Sequence, residues 1–242
     1  MKEVQPYKAF LEKDIETIHK LGKKGLIEFV LKSHEAKTQE SFSKIAKDWF
    51  EEGRNTYFKE LCSQCFFKPQ IELLHYLRQN GFKTFIVTGG GIEFVRAIAE
   101  KIYGIPPEQV IGSSAKTEFA MNGNEISIKR LSELNSFDDR ETKALNIHLH
   151  IGRRPILAFG NSDGDLCMMQ YVLAGNGSRM ALLLHHDDAE REFKYDRDYR
   201  LSPLKEALEV ASEWGIRVVS VKEDWNRVFE FNKQISEATQ VR

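Results

Sequence analysis

The chain has 242 residues, 41% hydrophobic and 29% charged, with 35 Lys+Arg against 36 Asp+Glu for a formal net charge of -1. That composition supplies a real core and excludes a wholly disordered chain, while the length fits one large domain or a core with a smaller second one. The balanced charge excludes the basic excess of a dedicated nucleic-acid binder and a polybasic membrane anchor, and no apolar run approaches the roughly 20 residues of a membrane span.

The first 65 residues read as helices. Phe10, Leu11, Ile15, Ile18 and Leu21 fall at helical spacing between Tyr7 and Leu21. Gly22 and Gly25 are expected to interrupt the run before Leu26–Leu31. Thr38 opens a further helix with Phe42, Ile45, Ala46, Trp49 and Phe50 on one face, closed by Gly53 and Asn55. After Pro69 the pattern changes to strands alternating with helices. Helices are predicted at Ile71–Gln79, Ile92–Tyr103, Lys143–Ile151, Leu166–Leu173 and Pro203–Trp214. Strands are predicted at Thr84–Val87, Gln109–Ile111, Ile156–Phe159, Ala181–His185 and Ile216–Val221, with a hairpin around Asn122-Gly123. Such alternation means a parallel sheet with crossover helices on both faces, an α/β core. The boundary between a helical part, residues 1–65, and the core, residues 66–242, is expected near Cys65–Pro69. The opening MKEVQPYKAF is too polar for a signal peptide, so the chain as written is expected in the cytoplasm.

Two strand ends carry chemistry. In Phe85-Ile86-Val87-Thr88-Gly89-Gly90-Gly91 a hydroxyl and a glycine run stand where a strand feeds a helix. Ligands of open α/β sheets bind at that edge, and glycine amides with a helix N-terminus suit phosphate; a simple tight turn is the competing reading. In Ala158-Phe159-Gly160-Asn161-Ser162-Asp163-Gly164-Asp165 a hydrophobic strand runs into oxygen ligands of the kind a hard cation such as Mg2+ takes. Asp163 or Asp165 could instead cap the following helix. Lys143, on the helix before that second strand, could complete a phosphate site or be a solvated surface lysine.

Other groups point to packing. Cys62-x-x-Cys65 has no second pair and abuts Phe66-Phe67; with three cysteines in all, no disulfide framework is expected. His185-His186-Asp187-Asp188 reads as a strand end and turn, and Arg153-Arg154 as a surface turn before Pro155. Phe94 stands where a dinucleotide fingerprint needs its third small residue, so NAD is not expected.

In order and separation, Phe85–Gly90, Lys143 and Gly160–Met168 resemble motifs two, three and four of the haloacid dehalogenase (HAD) superfamily, and most of all its phosphoserine-phosphatase-like acid phosphatases. The Leu73–Gly81 helix, Ile105–Val110 and His185–Phe193 also read like that group. The resemblance implies a HAD-like Rossmannoid core with residues 1–65 as part of a helical cap. It implies a Mg2+-dependent phosphomonoesterase acting on a small phosphorylated substrate through an aspartyl-phosphate. Thr88, Gly89 and Gly90 would bind the phosphoryl group, Lys143 would neutralise it, and Asn161 and Asp165 would hold Mg2+. Asn161 stands where the family more often has Asp; a neutral oxygen attracts a cation less, and Asp163 is the spare acid.

Motif one of that family is Asp-x-Asp-x-Thr after a hydrophobic strand, and its first aspartate is the nucleophile. Here Asp-x-Asp occurs only at Asp163–Asp165 and Asp196–Asp198, and the aspartates ahead of Thr88 are Asp14 and Asp48, both in helical patterns. The expectation is a chain carrying the phosphate and metal side of such a site without its nucleophile, and so inactive as given. The alternative is a non-catalytic module binding phosphate or a partner. Since the motif-one strand would lie between those ending at Thr88 and Asn161, either those two strands close up and pair or another segment or chain inserts between them, and self-association through an exposed sheet edge is expected over an open gap.

Overall fold

A computed structural model describes residues 7–35, 37–199 and 201–232. The helical beginning comprises α1 (Tyr7–Glu12), α2 (Ile15–Ser33) and α3 (Gln39–Glu52). Asp14 caps α2 by accepting from the Thr17 amide at 3.1 Å, and Thr38 caps α3 by accepting from the Ser41 amide at 3.2 Å. Of the two glycines expected to interrupt α2, only Gly22 does so: its φ of 62° is left-handed and kinks the helix, whereas Gly25 stays helical. Phe42, Ala46 and Phe50 form the buried face of α3. The Arg130 guanidinium lies 4.1 Å from the Phe42 ring and pairs with Glu93 at 2.9 Å, which fastens α3 to the core.

The core follows as α4 (Lys68–Gln79), β1 (Ile86–Gly91), α5 (Ile92–Tyr103), β2 (Val110–Asn122), β3 (Glu125–Ser136), α6 (Glu141–Ile151), β4 (Leu157–Gly160), α7 (Leu166–Leu173), β5 (Met180–His185), α8 (Glu206–Trp214), β6 (Arg217–Ser220) and α9 (Val221–Asp224). The parallel α/β architecture expected from the alternation is present, but as two sheets of three strands. One has the order β1-β2-β3, the other β4-β5-β6. All pairs in the second sheet are parallel, as is β1–β2. The strand signal at 109–111 proves to be the start of a long hairpin. β2 pairs with β1 over Val110–Ser113, then turns through Asn122↔Glu125 to run antiparallel to β3, with Gly123 at φ 62° in the turn.

The outer edges of β1 and β4 have no strand partner among the described residues. Those two strands neither close up nor receive a strand from residues 7–65. Helices bridge them instead. Ile147 of α6 and Met168 of α7 pack together with Ile111 and Val87 under one face of the β1 sheet. The β4 sheet buries Met169, Val172, Leu183, Ala207 and Ala211 against α7 and α8. Its other face meets Val221, Trp225, Val228 and Phe229, with Phe67 from the start of α4 packed among them. The Lys68 amide donates to the Val228 carbonyl at 2.8 Å, which ties α4 to this cluster. No helix of the described residues is long and apolar enough to cross a membrane.

Candidate active site

Thr88 ends the regular register of β1 on β2, which shifts before the next pair, Gly91 with Ser113. Its Oγ1 accepts from the Gly90 amide at 3.1 Å, which leaves its own proton to donate. α5 begins at Ile92 with Gly91 before it and no side chain capping it, so its first amides stay available to an anion. A side chain at Gly112 would press on Thr88 Cγ2 and the Gly90 carbonyl, so the neighbouring strand keeps this loop close.

Lys143 projects from α6 into the space between the two sheets. Its Nζ donates to the Val87 carbonyl of β1 at 2.8 Å and lies 3.2 Å from Asp165 Oδ1. Both side chains are more than nine-tenths buried, so the surface-lysine reading falls. Asp165 Oδ2 accepts from the Asn161 amide at 2.9 Å and from the Ser162 amide and hydroxyl, each at 3.1 Å. This capping box bends the chain back beneath β4. Any side chain at Gly160 would overlap Asp165 itself. Behind Lys143, Asp138 is fully buried and accepts from Asn146 Nδ2 at 2.9 Å. Burial pushes its carboxyl above the usual carboxylate range, against the pull of Asn146 and Lys143.

Thr88, Gly89, Gly90, Lys143, Asn161 and Asp165 thus line one cleft, with a volume of about 390 Å³. Sequence reasoning missed two groups on its wall. Lys23 of α2 lies 3.4 Å from Asp139 across the cleft. The paired acids Asp138-Asp139 at the start of α6 were the available signal for the second; nothing in the helical pattern singled out Lys23.

Asp163 is the predicted site residue that the structure leaves out of the cleft lining. Its Oδ1 accepts from the Lys205 and Ala207 amides, both at 2.9 Å, at the start of α8. It serves as a cap, but of the distant α8 and not of the helix that follows it, the cap its sequence suggested. Asp163→Ala is therefore expected to cost about 1 kcal/mol of stability, as loss of a cap does. The cleft itself should be unaffected, which thermal melts and titrations with orthophosphate and Mn2+ on the same sample would check.

The remaining candidates sit in structural roles. Cys62 and Cys65 are free and half-buried, and burial pushes the Cys65 thiol up. His185 pairs with Asp196 at 3.1 Å, Asp188 with Arg191, and Arg154 lies over the Tyr171 ring. Among the described residues no three His, Cys, Asp or Glu side chains converge as a metal site.

The chain belongs to the haloacid dehalogenase-like hydrolases, whose family model matches residues 4–170 and so takes in every residue placed at the cleft above. Among solved structures it is similar to a phosphoserine phosphohydrolase-like protein from Francisella tularensis subsp. tularensis SCHU S4. The identity is 18% and the TM-score 0.40, over 71% of this chain and 72% of that one. A search of curated proteins returns no match.

Proposed function

We propose that the cleft binds the phosphoryl group of a small phosphomonoester together with Mg2+, and that the chain carries the phosphate and metal side of a HAD-type phosphatase. The observation that supports this is the meeting of Thr88, Lys143 and the Asn161/Asp165 pair at one cleft between two strand ends. Thr88 and the open amides of α5 offer hydrogen bonds to phosphate oxygens. Lys143, pinned by the Val87 carbonyl and Asp165, offers a fixed positive charge. Asp165 and the Asn161 carbonyl fit Mg2+, which takes one or two protein oxygens and completes its shell with water and phosphate. The cation would neutralise charge on the phosphoryl group.

The carboxylates of the cleft are already engaged, Asp165 by Lys143 and three donors and Asp139 by Lys23. Neither stands free to attack phosphorus, and this favours a second reading, binding without turnover by the 242 residues as they stand. The edges of β1 and β4 that have no strand partner among the described residues support recruitment of a strand, from a second copy or another chain. The test is a calorimetric titration of orthophosphate with and without Mg2+. Mg2+-dependent binding that disappears in Lys143→Met is the expected result. Absence of binding under either condition would refute the proposal.

A further inference from the structure

Asn161 is a neutral side chain at a position proposed to hold a cation, so only one of its two ends can serve. Its Nδ2 donates to Tyr195 Oη at 2.8 Å and lies 3.2 Å from His186 Nε2. His186 Nδ1 in turn lies 2.8 Å from Glu192 Oε2. His186 is 0% exposed and Glu192 2%, and the Tyr195 ring stacks on the imidazole at 4.2 Å. A carboxylate only accepts and an amide nitrogen only donates, so Glu192 on one side and Asn161 Nδ2 on the other place the imidazole proton on Nδ1 and leave Nε2 as an acceptor. One amide hydrogen of Asn161 then goes to Nε2 and the other to the phenol oxygen. Both hydrogens are spent on the buried side. No donor among the described residues reaches Oδ1, and Asn161 lines the cleft.

We propose that His186, held by Glu192 and aided by Tyr195, is a positioning residue that turns the Asn161 amide so that its oxygen faces the cleft as a ligand for a divalent cation. The opposite imidazole tautomer would present an N–H to Asn161, draw the oxygen inward and leave an NH2 group facing the cation. Outer partners of this kind are worth about 10–100-fold in metal affinity. The inference rests on the metal reading of the cleft, and the experiment separates the two.

Mn2+ binding, followed by the spectrum of the free ion, is measured for the unsubstituted chain, Asp165→Ala, His186→Phe and Asn161→Asp, and for His186→Phe in the Asn161→Asp background. Phe keeps the ring stack. An aspartate offers oxygen at both ends and needs no orienting. The expected result is a loss of at least roughly tenfold for His186→Phe beside the native Asn161, and little loss for His186→Phe in the Asn161→Asp background. Equal losses in both backgrounds mean a merely structural role and overturn the inference. So does unchanged affinity in His186→Phe while Asp165→Ala loses binding. No affinity in the unsubstituted chain overturns the metal reading and, with it, the ligand role. Nitrogen NMR of the unsubstituted, metal-free chain tests the geometry directly: a His186 proton on Nδ1 is expected, and one on Nε2 overturns the inference even if His186→Phe fails to fold.

Discussion

The 242-residue chain should hydrolyse p-nitrophenyl phosphate no faster than a Lys143→Met control, and should gain turnover when a strand ending in Asp-x-Asp-x-Thr is supplied, either fused ahead of residue 1 or added as a peptide. Covalent phosphoryl transfer needs a free carboxylate in line with phosphorus, and the carboxylates at this cleft are bound to Lys143, Lys23 and backbone amides. Loss of a nucleophile from an otherwise intact site typically costs on the order of 10⁴–10⁶ in rate, so the gain should be of that order. Such a strand would be expected to add between the edges of β1 and β4 that have no strand partner among the described residues. Its arrival would give Val87 and its neighbours, already paired with β2, a second strand on their other side. Changing the first Asp of the supplied strand to Asn should return the rate to background. Turnover by the chain alone that is lost in Asp139→Asn would instead make Asp139 the nucleophile.

Lys143→Met should be the most damaging single substitution at the site for stability. It removes the cation of a buried ion pair, so that the Asp165 charge keeps only its neutral donors on Oδ2 and the Val87 carbonyl loses the Lys143 hydrogen bond. Breaking a buried pair in this way costs about 3–5 kcal/mol, and for a chain of this size that lowers Tm by roughly 6–20 °C. Thermal unfolding checks it. Adding Asp165→Asn to Lys143→Met should recover part of the loss, because the uncompensated charge goes with it. A double variant no better than Lys143→Met alone would mean that the lysine acts through packing and not through charge.

Much of this site could be read from sequence because its parts lie at ends of elements with strong local signals. Thr88 and Asn161 each follow a short apolar run and precede a helix, so their place at strand ends was fixed by periodicity. Helices α5 and α7 fell at the predicted residues, Ile92–Tyr103 and Leu166–Leu173. Lys143 was ambiguous because a lysine on a half-polar helix looks the same whether its end meets solvent or Asp165. Asp163 and Asp165 are two residues apart with the same chemistry. What separates them is the distant start of α8, whose amides claim Asp163. The division of the sheet could not be read at all, because strand neighbours depend on which backbone edges meet. The same holds for Lys23, which reaches Asp139 across 116 positions of chain, and for the His186–Glu192 support behind Asn161, hidden in what reads as a strand end and a turn.

The central claim is that phosphate and metal share the cleft between β1 and β4. A crystal of the chain soaked with tungstate and Mn2+, with anomalous scattering locating each heavy atom, tests it most directly. Tungstate is expected within hydrogen-bonding distance of Thr88 Oγ1 and Lys143 Nζ, and Mn2+ on the Asn161 and Asp165 oxygens. Tungstate elsewhere on the surface, or Mn2+ at His185 and Asp196 with the cleft empty, would contradict it.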